Sequence, residues 1–159
     1  MSVEIRRIRE SDYEAVRSIW NDVLDVTVTY EQIRETYSAM DGDDRYCTFV
    51  ADAEGVIAGL VTGVHVLAVG HPGGYIKMNG LGVLPEYRGR GLGRRVMSEA
   101  EDWLCELGYR RAAVESRDVA IEFYRHLGYA VTDPDILHGD TFDCVRMEKD
   151  LTSFSDRDR

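Results

Sequence analysis

The chain has 159 residues and a formal net charge of −10 at pH 7, and 44% of its residues are hydrophobic. This length suffices for one compact domain with a sizeable core, so we predict a single domain over residues 1–151 and a disordered tail over residues 152–159. The negative charge disfavours nonspecific binding to nucleic acid or to an anionic membrane, because both attract positive surfaces. It is compatible with a cationic binding partner.

Two classes of protein are disfavoured by local features of the sequence. No apolar run is long enough to cross a bilayer, and the amino terminus lacks a signal-peptide core. The three cysteines, Cys47, Cys105 and Cys144, do not have the paired spacing of a zinc site, and we predict that they are reduced. We therefore expect a cytoplasmic protein without a metal ion.

The amino-terminal half combines strand and helix patterns. A helix is predicted to begin at Tyr13 after a cap at Ser11 or Asp12, because apolar residues then recur at helical spacing. A glycine turn at residues 52–55 predicts a hairpin, and residues 70–74 are predicted to form a second loop. The predicted strands are Val3–Ile8, Tyr46–Asp52, Val56–Val69 and Tyr75–Val83, and a second helix is predicted over Tyr30–Met40.

The carboxy-terminal half continues with helices that separate strands. A long helix runs from Leu92 until Gly108 interrupts its apolar spacing, and a short helix runs from Asp118 to Leu127. The predicted strands are Arg111–Glu115, Tyr129–Thr132 and Thr141–Lys149. Together the elements predict an α/β (α+β) fold with a mixed, mostly antiparallel sheet of six to seven strands flanked by about four helices.

The run Arg88-Gly89-Arg90-Gly91-Leu92-Gly93 lies between a predicted strand and the long helix. The first N–H groups of a helix lack partners within the helix, and its dipole adds positive charge at the same end. Glycines let a ligand approach the main chain, and the two arginines add charge. The run therefore predicts a phosphate site, although its spacing matches neither a dinucleotide fingerprint nor a P-loop.

Two motifs in this order are similar to those of the GNAT superfamily of acyl-CoA-dependent N-acyltransferases. The first is Leu81-x-Val83 followed by Arg88–Gly93, which matches the acyl-CoA motif Arg/Gln-x-x-Gly-x-Gly/Ala. The second is Ala120-Ile121-Glu122-Phe123-Tyr124-Arg125-His126-Leu127-Gly128-Tyr129. The resemblance extends in element order over nearly the whole chain, is specific between about Leu81 and Tyr129, and implies the acyl-CoA N-acyltransferase fold.

The resemblance implies a role for each motif in acetyl transfer from acetyl-CoA, used as a co-substrate, to an amine. Residues at the glycine turn would bind the pyrophosphate, and the main chain before it would pair with pantetheine and polarise the thioester. Tyr124 would be the general acid that protonates the departing thiolate, in preference to Phe123. The implied cofactor-binding residues are Leu81, Gly82, Val83, Arg88, Gly89, Arg90, Gly91, Leu92, Gly93, Arg94 and Ser116.

Three assignments stay open at this stage. The strand before the glycine turn lacks the carboxylate that many relatives use as a base, so Glu115, His65 or a chain of waters would remove the amine proton. Ser116 stands where relatives place an asparagine, and it either bonds pantetheine or caps a helix. A further resemblance, of residues 20–23 and 27–31 to phosphinothricin-type acetyltransferases, would place Tyr30 or Glu31 near the acceptor.

We therefore expect an N-acetyltransferase that acts on a primary amine of a small molecule or peptide. The alternative is a noncatalytic acyl-CoA-binding or interaction module, which is consistent with the missing strand carboxylate. Exposed sheet edges are compatible with a homodimer.

Overall fold

A computed structural model describes residues 2–139 and 142–151, with the exception of the Pro72 side chain. This part of the chain contains seven strands and four α-helices. The strands are β1 (Glu4–Arg7), β2 (Tyr46–Ala53), β3 (Val56–Ala68), β4 (His71–Val83), β5 (Arg111–Arg117), β6 (Ala130–His138) and β7 (Asp143–Asp150). The helices are α1 (Tyr13–Asp22), α2 (Tyr30–Met40), α3 (Leu92–Glu106) and α4 (Ile121–His126).

The strands form one mixed sheet in the order β1-β2-β3-β4-β5-β7-β6. β1 with β2, β2 with β3, β5 with β7 and β6 with β7 are antiparallel, whereas β4 and β5 are parallel. A parallel pair needs a crossover connection, and α3 supplies it. The predicted fold class is confirmed. None of the helices in the described part of the chain is both long and apolar enough to span a membrane.

The chain divides into two compact units, of which the first comprises residues up to 64 and residues 80–100. Its core forms where the apolar faces of α1 and α2 meet β2 and β3, and includes Val16, Ile19, Ile33, Val50 and Leu60. The buried Asp12 is the N-cap residue of α1, as one of the two predicted candidates, but its side chain makes no capping hydrogen bond to this helix. Its carboxylate instead accepts hydrogen bonds from the Arg6 guanidinium at 2.8 and 2.9 Å and from the Arg9 amide at 2.8 Å.

The second unit comprises residues 65–79 and the chain from residue 101 onward. Its core uses the central strands, where Ile76–Met78 of β4 pair with Ala112–Val114 of β5 and Val114 pairs with Met147 of β7. Ile76, Val114 and Met147 are buried. The single domain predicted over residues 1–151 stays a prediction.

Two of the observed strands, β4 and β6, extend furthest beyond the predicted ones. β4 begins at His71, so the predicted loop at residues 70–74 is mostly strand, and Gly73 and Gly74 have φ values of +82° and +80° within it. β6 runs to His138 through Pro134, because its pairing with β7 shifts register between Asp133 and Leu137. A proline is tolerated on an edge strand at such an irregularity.

Two predictions at the carboxy terminus concern residues that the structure does not describe. The predicted start of the last strand at Thr141 lies outside the described residues, and β7 begins at Asp143. The predicted tail at residues 152–159 also lies outside them.

Candidate active site

In the first unit, the end of β4 is shaped by glycines that pack against α1 and β3. Gly80 has a φ of +67°, and a Cβ atom on it would lie 2.8 Å from the Trp20 ring. A Cβ atom on Gly82 would lie 3.1 Å from Ile19. This packing requires small residues on both sides of Leu81. The segment Leu81–Val83 is thereby held at the point where the chain leaves the sheet.

The glycine turn follows a single 3-10 turn at Pro85–Tyr87. The Arg88 Nε atom donates a hydrogen bond to the Val83 carbonyl oxygen at 3.1 Å, which ties the arginine to the end of β4. Gly89 and Gly91 have φ values of +77° and +75°, a region that favours glycine. Apart from their neighbours in the chain, no described residue has a heavy atom within 4 Å of a Cβ position on either glycine. The main chain of the turn is therefore open to an incoming group.

Helix α3 begins immediately after this turn, at the buried Leu92. Its first turn contains no acidic residue. Four arginines, at positions 88, 90, 94 and 95, lie within residues 88–95, in a chain whose net charge is −10. Arginines at a helix amino terminus repel the positive end of the helix dipole, and a bound anion would relieve this repulsion. The arrangement therefore suits a phosphate group.

Two of these arginines have additional contacts in the structure. The Arg90 guanidinium lies 5.4 Å from the centre of the Tyr87 ring. The Arg95 guanidinium donates a hydrogen bond to the Val3 carbonyl oxygen at 2.9 Å. Arg95 was not among the residues predicted from the motif, although counting the charges in the first helical turn would have included it.

The second unit carries the other two predicted site residues. Ser116 is buried on β5, and its hydroxyl donates to the Arg117 carbonyl oxygen at 2.9 Å. No side chain caps the 3-10 turn at Asp118–Ala120, whose preceding residue is Arg117. The capping role that was one of two interpretations of Ser116 is therefore not observed.

Tyr124 lies on α4, beside Phe123. Phe123 is 38% exposed, whereas Tyr124 is half-buried, with its ring centre 5.8 Å from that of Tyr129. Burial raises the pKa of Tyr124 to about 12, against a lowering effect of the positive charge of Arg117. Among the described residues, the Tyr124 hydroxyl donates no hydrogen bond. A protonated phenol is thus available as a proton donor.

The two side chains that were candidates for the base have different partners. The carboxylate of Glu115 forms an ion pair with Lys77 at 3.0 Å. The Nε2 atom of His65 lies 3.1 Å from the Gly73 carbonyl oxygen, and its ring packs edge-on against Tyr109. Since a carbonyl oxygen can only accept, Nε2 of His65 is the donor, and this histidine is part of the β3–β4 hairpin.

The cysteines have no paired arrangement in the structure. Cys47 and Cys105 are buried, Cys144 is half-buried, and none of the three forms a disulfide bond. Burial raises the pKa of Cys47 to about 11, so its thiol stays protonated near neutral pH. In the described part of the chain, no three His, Cys, Asp or Glu side chains group in a way that would bind a metal ion.

The segment that resembles phosphinothricin-type acetyltransferases has a structural use in this chain. The Asn21 amide accepts from the Val28 N–H at 2.7 Å and donates to the Val28 carbonyl at 3.2 Å, which closes the loop between α1 and α2. Glu31 pairs with Arg34 one helical turn later at 2.8 Å, and Tyr30 is exposed. Asn21 and Glu31 therefore have structural roles that do not depend on binding an acceptor substrate.

Comparison with solved structures supports the fold. The structure is similar to an N-acetyltransferase from Staphylococcus aureus Mu50, with a TM-score of 0.81, 17% identity, and coverage of 96% of this chain and 100% of the other. It is similar to a phosphinothricin acetyltransferase from Sinorhizobium meliloti in complex with acetyl-CoA, with a TM-score of 0.78, 18% identity, and coverage of 98% and 92%. It is also similar to the ribosomal-protein-S18-alanine N-acetyltransferase from Escherichia coli, with a TM-score of 0.70, 19% identity, and coverage of 95% of both chains.

The family is shown by a match of the sequence to a family model rather than by these distant structures. The model of the Acetyltransferase (GNAT) family matches residues 4–129, which include β1, the glycine turn and α4. The motifs at residues 81–93 and 120–129 both lie within this match. The chain therefore belongs to the GNAT family of acetyltransferases.

Proposed function

We propose that this protein transfers the acetyl group of acetyl-CoA directly to a primary amine of a small molecule or peptide. The observation that carries the proposal is the open glycine turn at the amino terminus of α3, with four arginines and no acid between residues 88 and 95. Family membership supports the reaction type. The phosphinothricin acetyltransferase of the same fold, solved with acetyl-CoA, supports the choice of co-substrate.

The residues of the first unit fit the pyrophosphate of acetyl-CoA. The backbone N–H groups from Gly89 to Gly93 and the guanidinium groups of Arg88, Arg90 and Arg94 supply donors of positive or partly positive charge. The open Cβ positions of Gly89 and Gly91 leave room for phosphate oxygens at the main chain. Leu92 is buried, so its part in binding is to present its N–H group from a fixed position.

The main chain of Leu81, Gly82 and Val83 is proposed to pair with the pantetheine arm and to polarise the thioester carbonyl. Backbone N–H groups suit this task, because they are fixed before charge develops on the oxygen. Glycine packing on both sides of Leu81 gives the segment this rigidity. Ser116 is proposed as a second polar partner of pantetheine, since its hydroxyl oxygen still has capacity to accept a hydrogen bond.

The reaction requires two proton transfers. The amine nitrogen bonds to the thioester carbon, the C–S bond breaks, and the sulfur leaves as a thiolate. We propose that Tyr124 donates a proton to that thiolate, because its hydroxyl is protonated at neutral pH. Removal of the amine proton requires a base, and the candidates are Glu115, the Nδ1 atom of His65 and a chain of waters. Exchange of protons with water then restores Tyr124 and the base.

The acceptor is proposed only as a primary amine. The solved structures of this fold include one enzyme named for phosphinothricin, a small molecule, and one named for an alanine of a ribosomal protein. The fold alone therefore does not select between a small molecule and a peptide. The net charge of −10 favours a cationic acceptor over an anionic one.

Calorimetric titration with acetyl-CoA, followed by thiol release in the same preparation against amines, amino acids and peptides, tests the proposal. We expect binding together with turnover of at least one amine. Absence of binding would overturn the assignment of residues 88–94. Binding without turnover of any amine would favour the noncatalytic acyl-CoA-binding module.

A further inference from the structure

A buried carboxylate contacts Tyr129, which follows the helix that carries Tyr124. Glu101, on the second half of α3, is 4% exposed. Its oxygens lie 2.7 and 3.2 Å from the Lys149 ammonium, and the Tyr129 hydroxyl donates to it at 3.2 Å. A buried carboxylate is costly unless it is paired and hydrogen-bonded, and these two partners meet that requirement. The hydroxyl of Tyr129 is thereby anchored at a defined place.

The Tyr129 ring also contacts Tyr124. The two ring centres are 5.8 Å apart and the planes are inclined by 71°, an edge-to-face arrangement. The backbone joins the same two residues, because the Tyr129 N–H donates to the Tyr124 carbonyl oxygen at 3.0 Å. Tyr129 is 2% exposed, so its ring has no free space in which to move.

Lys149 also fixes the turn between the two tyrosines. Gly128 has a φ of +96°, and a Cβ atom on it would lie 3.2 Å from Cε of Lys149. The Lys149 ammonium lies 5.7 Å from the centre of the Tyr129 ring. The lysine therefore contacts the carboxylate, the ring and the turn at once.

The Tyr129 hydroxyl is a constant donor to Glu101. Burial raises the pKa of Tyr129 far above its usual value, and the adjacent negative charge of Glu101 raises it further. The phenol consequently keeps its proton at any pH at which the protein is assayed. The role of this hydroxyl is to hold the Tyr129 ring in place, because its only proton is donated to Glu101.

We propose that Tyr129, anchored by Glu101 and Lys149, is a positioning residue that holds the Tyr124 ring in the orientation required for proton donation. This inference rests on the proposed function, in which Tyr124 is the general acid. Turnover then depends on Tyr129, Glu101 and Lys149 in addition to Tyr124. In the proposed mechanism, none of these three residues contacts the reacting atoms.

A kinetic cycle of Tyr129→Phe, Tyr124→Phe and the double variant tests the proposal. Phe keeps the ring of residue 129 and removes only its anchor. We expect Tyr129→Phe to lower kcat about tenfold with unchanged KM for acetyl-CoA, because small misplacement of a catalytic group is costly. In the Tyr124→Phe background it should lower kcat no further. A tenfold loss in both backgrounds, or no loss in either, would overturn the proposal.

Two further variants separate positioning from stability. Tyr13→Phe removes the hydroxyl of a similarly buried tyrosine, 5% exposed, in the first unit, and it should leave kcat unchanged. Glu101→Gln retains an oxygen that accepts from Tyr129, so it should retain more of kcat than Tyr129→Phe even though it removes the ion pair. If Glu101→Gln lost more of kcat than Tyr129→Phe while folded, the anchor would be wrongly assigned.

A fluorine resonance distinguishes failure of this proposal from failure of the proposed function. With 3-fluorotyrosine at position 124, Tyr129→Phe should shift or broaden the resonance, whereas Tyr13→Phe should not. An unchanged resonance would overturn the positioning role, whatever the kinetics of Tyr124→Phe. A changed resonance together with wild-type kcat in Tyr124→Phe would instead overturn the acid role of Tyr124, and with it the catalytic purpose of the contact.

Discussion

The indole ring of Trp20 lies against the backbone of Gly80, where a Cβ atom would be 2.8 Å from Cζ2 of the indole. The Trp20 indole N–H donates to the Tyr37 hydroxyl at 3.0 Å, so the ring cannot turn away without losing this bond. Gly80 also has a left-handed φ of +67°. Both features require glycine at the point where β4 enters the segment Leu81–Val83.

We expect Gly80→Ala to lower the free energy of unfolding by about 3 kcal/mol, since backbone strain and overpacking each contribute 1 kcal/mol or more. Trp20→Phe removes the outer part of the indole. In the Trp20→Phe background, Gly80→Ala should therefore lower the free energy of unfolding by only about 1 kcal/mol. Urea unfolding of the four proteins measures both costs. Equal costs in the two backgrounds would show that the indole does not confine residue 80.

Gly91→Val should weaken acetyl-CoA binding at least tenfold, because a Cβ atom would occupy the space proposed for a phosphate. Gly42→Val is a matched control. Gly42 has a φ of +74° against +75° for Gly91, and neither has a heavy atom within 4 Å of its Cβ position. The two variants should therefore lose similar stability, while Gly42→Val retains affinity.

A truncated donor makes the Gly91 experiment specific to the pyrophosphate. S-acetylpantetheine carries the thioester and lacks the diphosphate, so Gly91→Val should leave its turnover close to that of the wild type. Calorimetry measures the affinity for acetyl-CoA, and thiol release measures turnover of both donors. Equal losses with both donors would place residue 91 elsewhere than at the diphosphate.

Tyr124→Phe should lower kcat about a hundredfold and leave acetyl-CoA affinity unchanged, as expected for loss of a general acid. The pKa of Tyr124 is raised to about 12, so the phenol keeps its proton as pH rises past its usual value and loses it only near pH 12. The ratio of wild-type to variant kcat should therefore be constant between pH 7 and roughly pH 10. A ratio that fell towards 1 near pH 8 would contradict the assignment.

Asp12 should contribute to stability in a pH-dependent way. Burial acts to raise its pKa, but hydrogen bonds from Arg6 and the Arg9 amide outweigh burial, so the pKa is lowered. A lowered folded pKa gives stabilisation that is present above the unfolded value of about 3.9 and is lost as pH falls through the folded value.

Asp12→Asn should accordingly cost about 2 kcal/mol at pH 7 and nearly nothing at the lowest pH at which both proteins fold. Glu31→Gln is the comparison, because the Glu31–Arg34 pair lies at the surface and should contribute little. Urea unfolding at several pH values measures the difference. A cost for Asp12→Asn that did not change with pH would mean that its charge is not the source of stability.

Local sequence was sufficient for most elements of the fold. The helix Tyr30–Met40 has the predicted bounds, because Thr29 and Gln32 form a reciprocal cap that is visible in the sequence. The extension of β6 to His138 was missed, since Pro134 is a local signal for a break. That signal is overridden by pairing of β6 with β7.

The sequence by itself determined the family and predicted the anion site. Glycines 89 and 91, the arginines around them and the start of α3 are consecutive, so their chemistry depends on neighbours in the chain and on the helix dipole. Only the tertiary structure decided the surroundings of Gly80 and Tyr124. Trp20 is 60 residues before Gly80, and Glu101 and Lys149, which anchor Tyr129, are 48 residues apart. No local pattern encodes such contacts, because they form only when folding brings separate elements together and buries the groups between them.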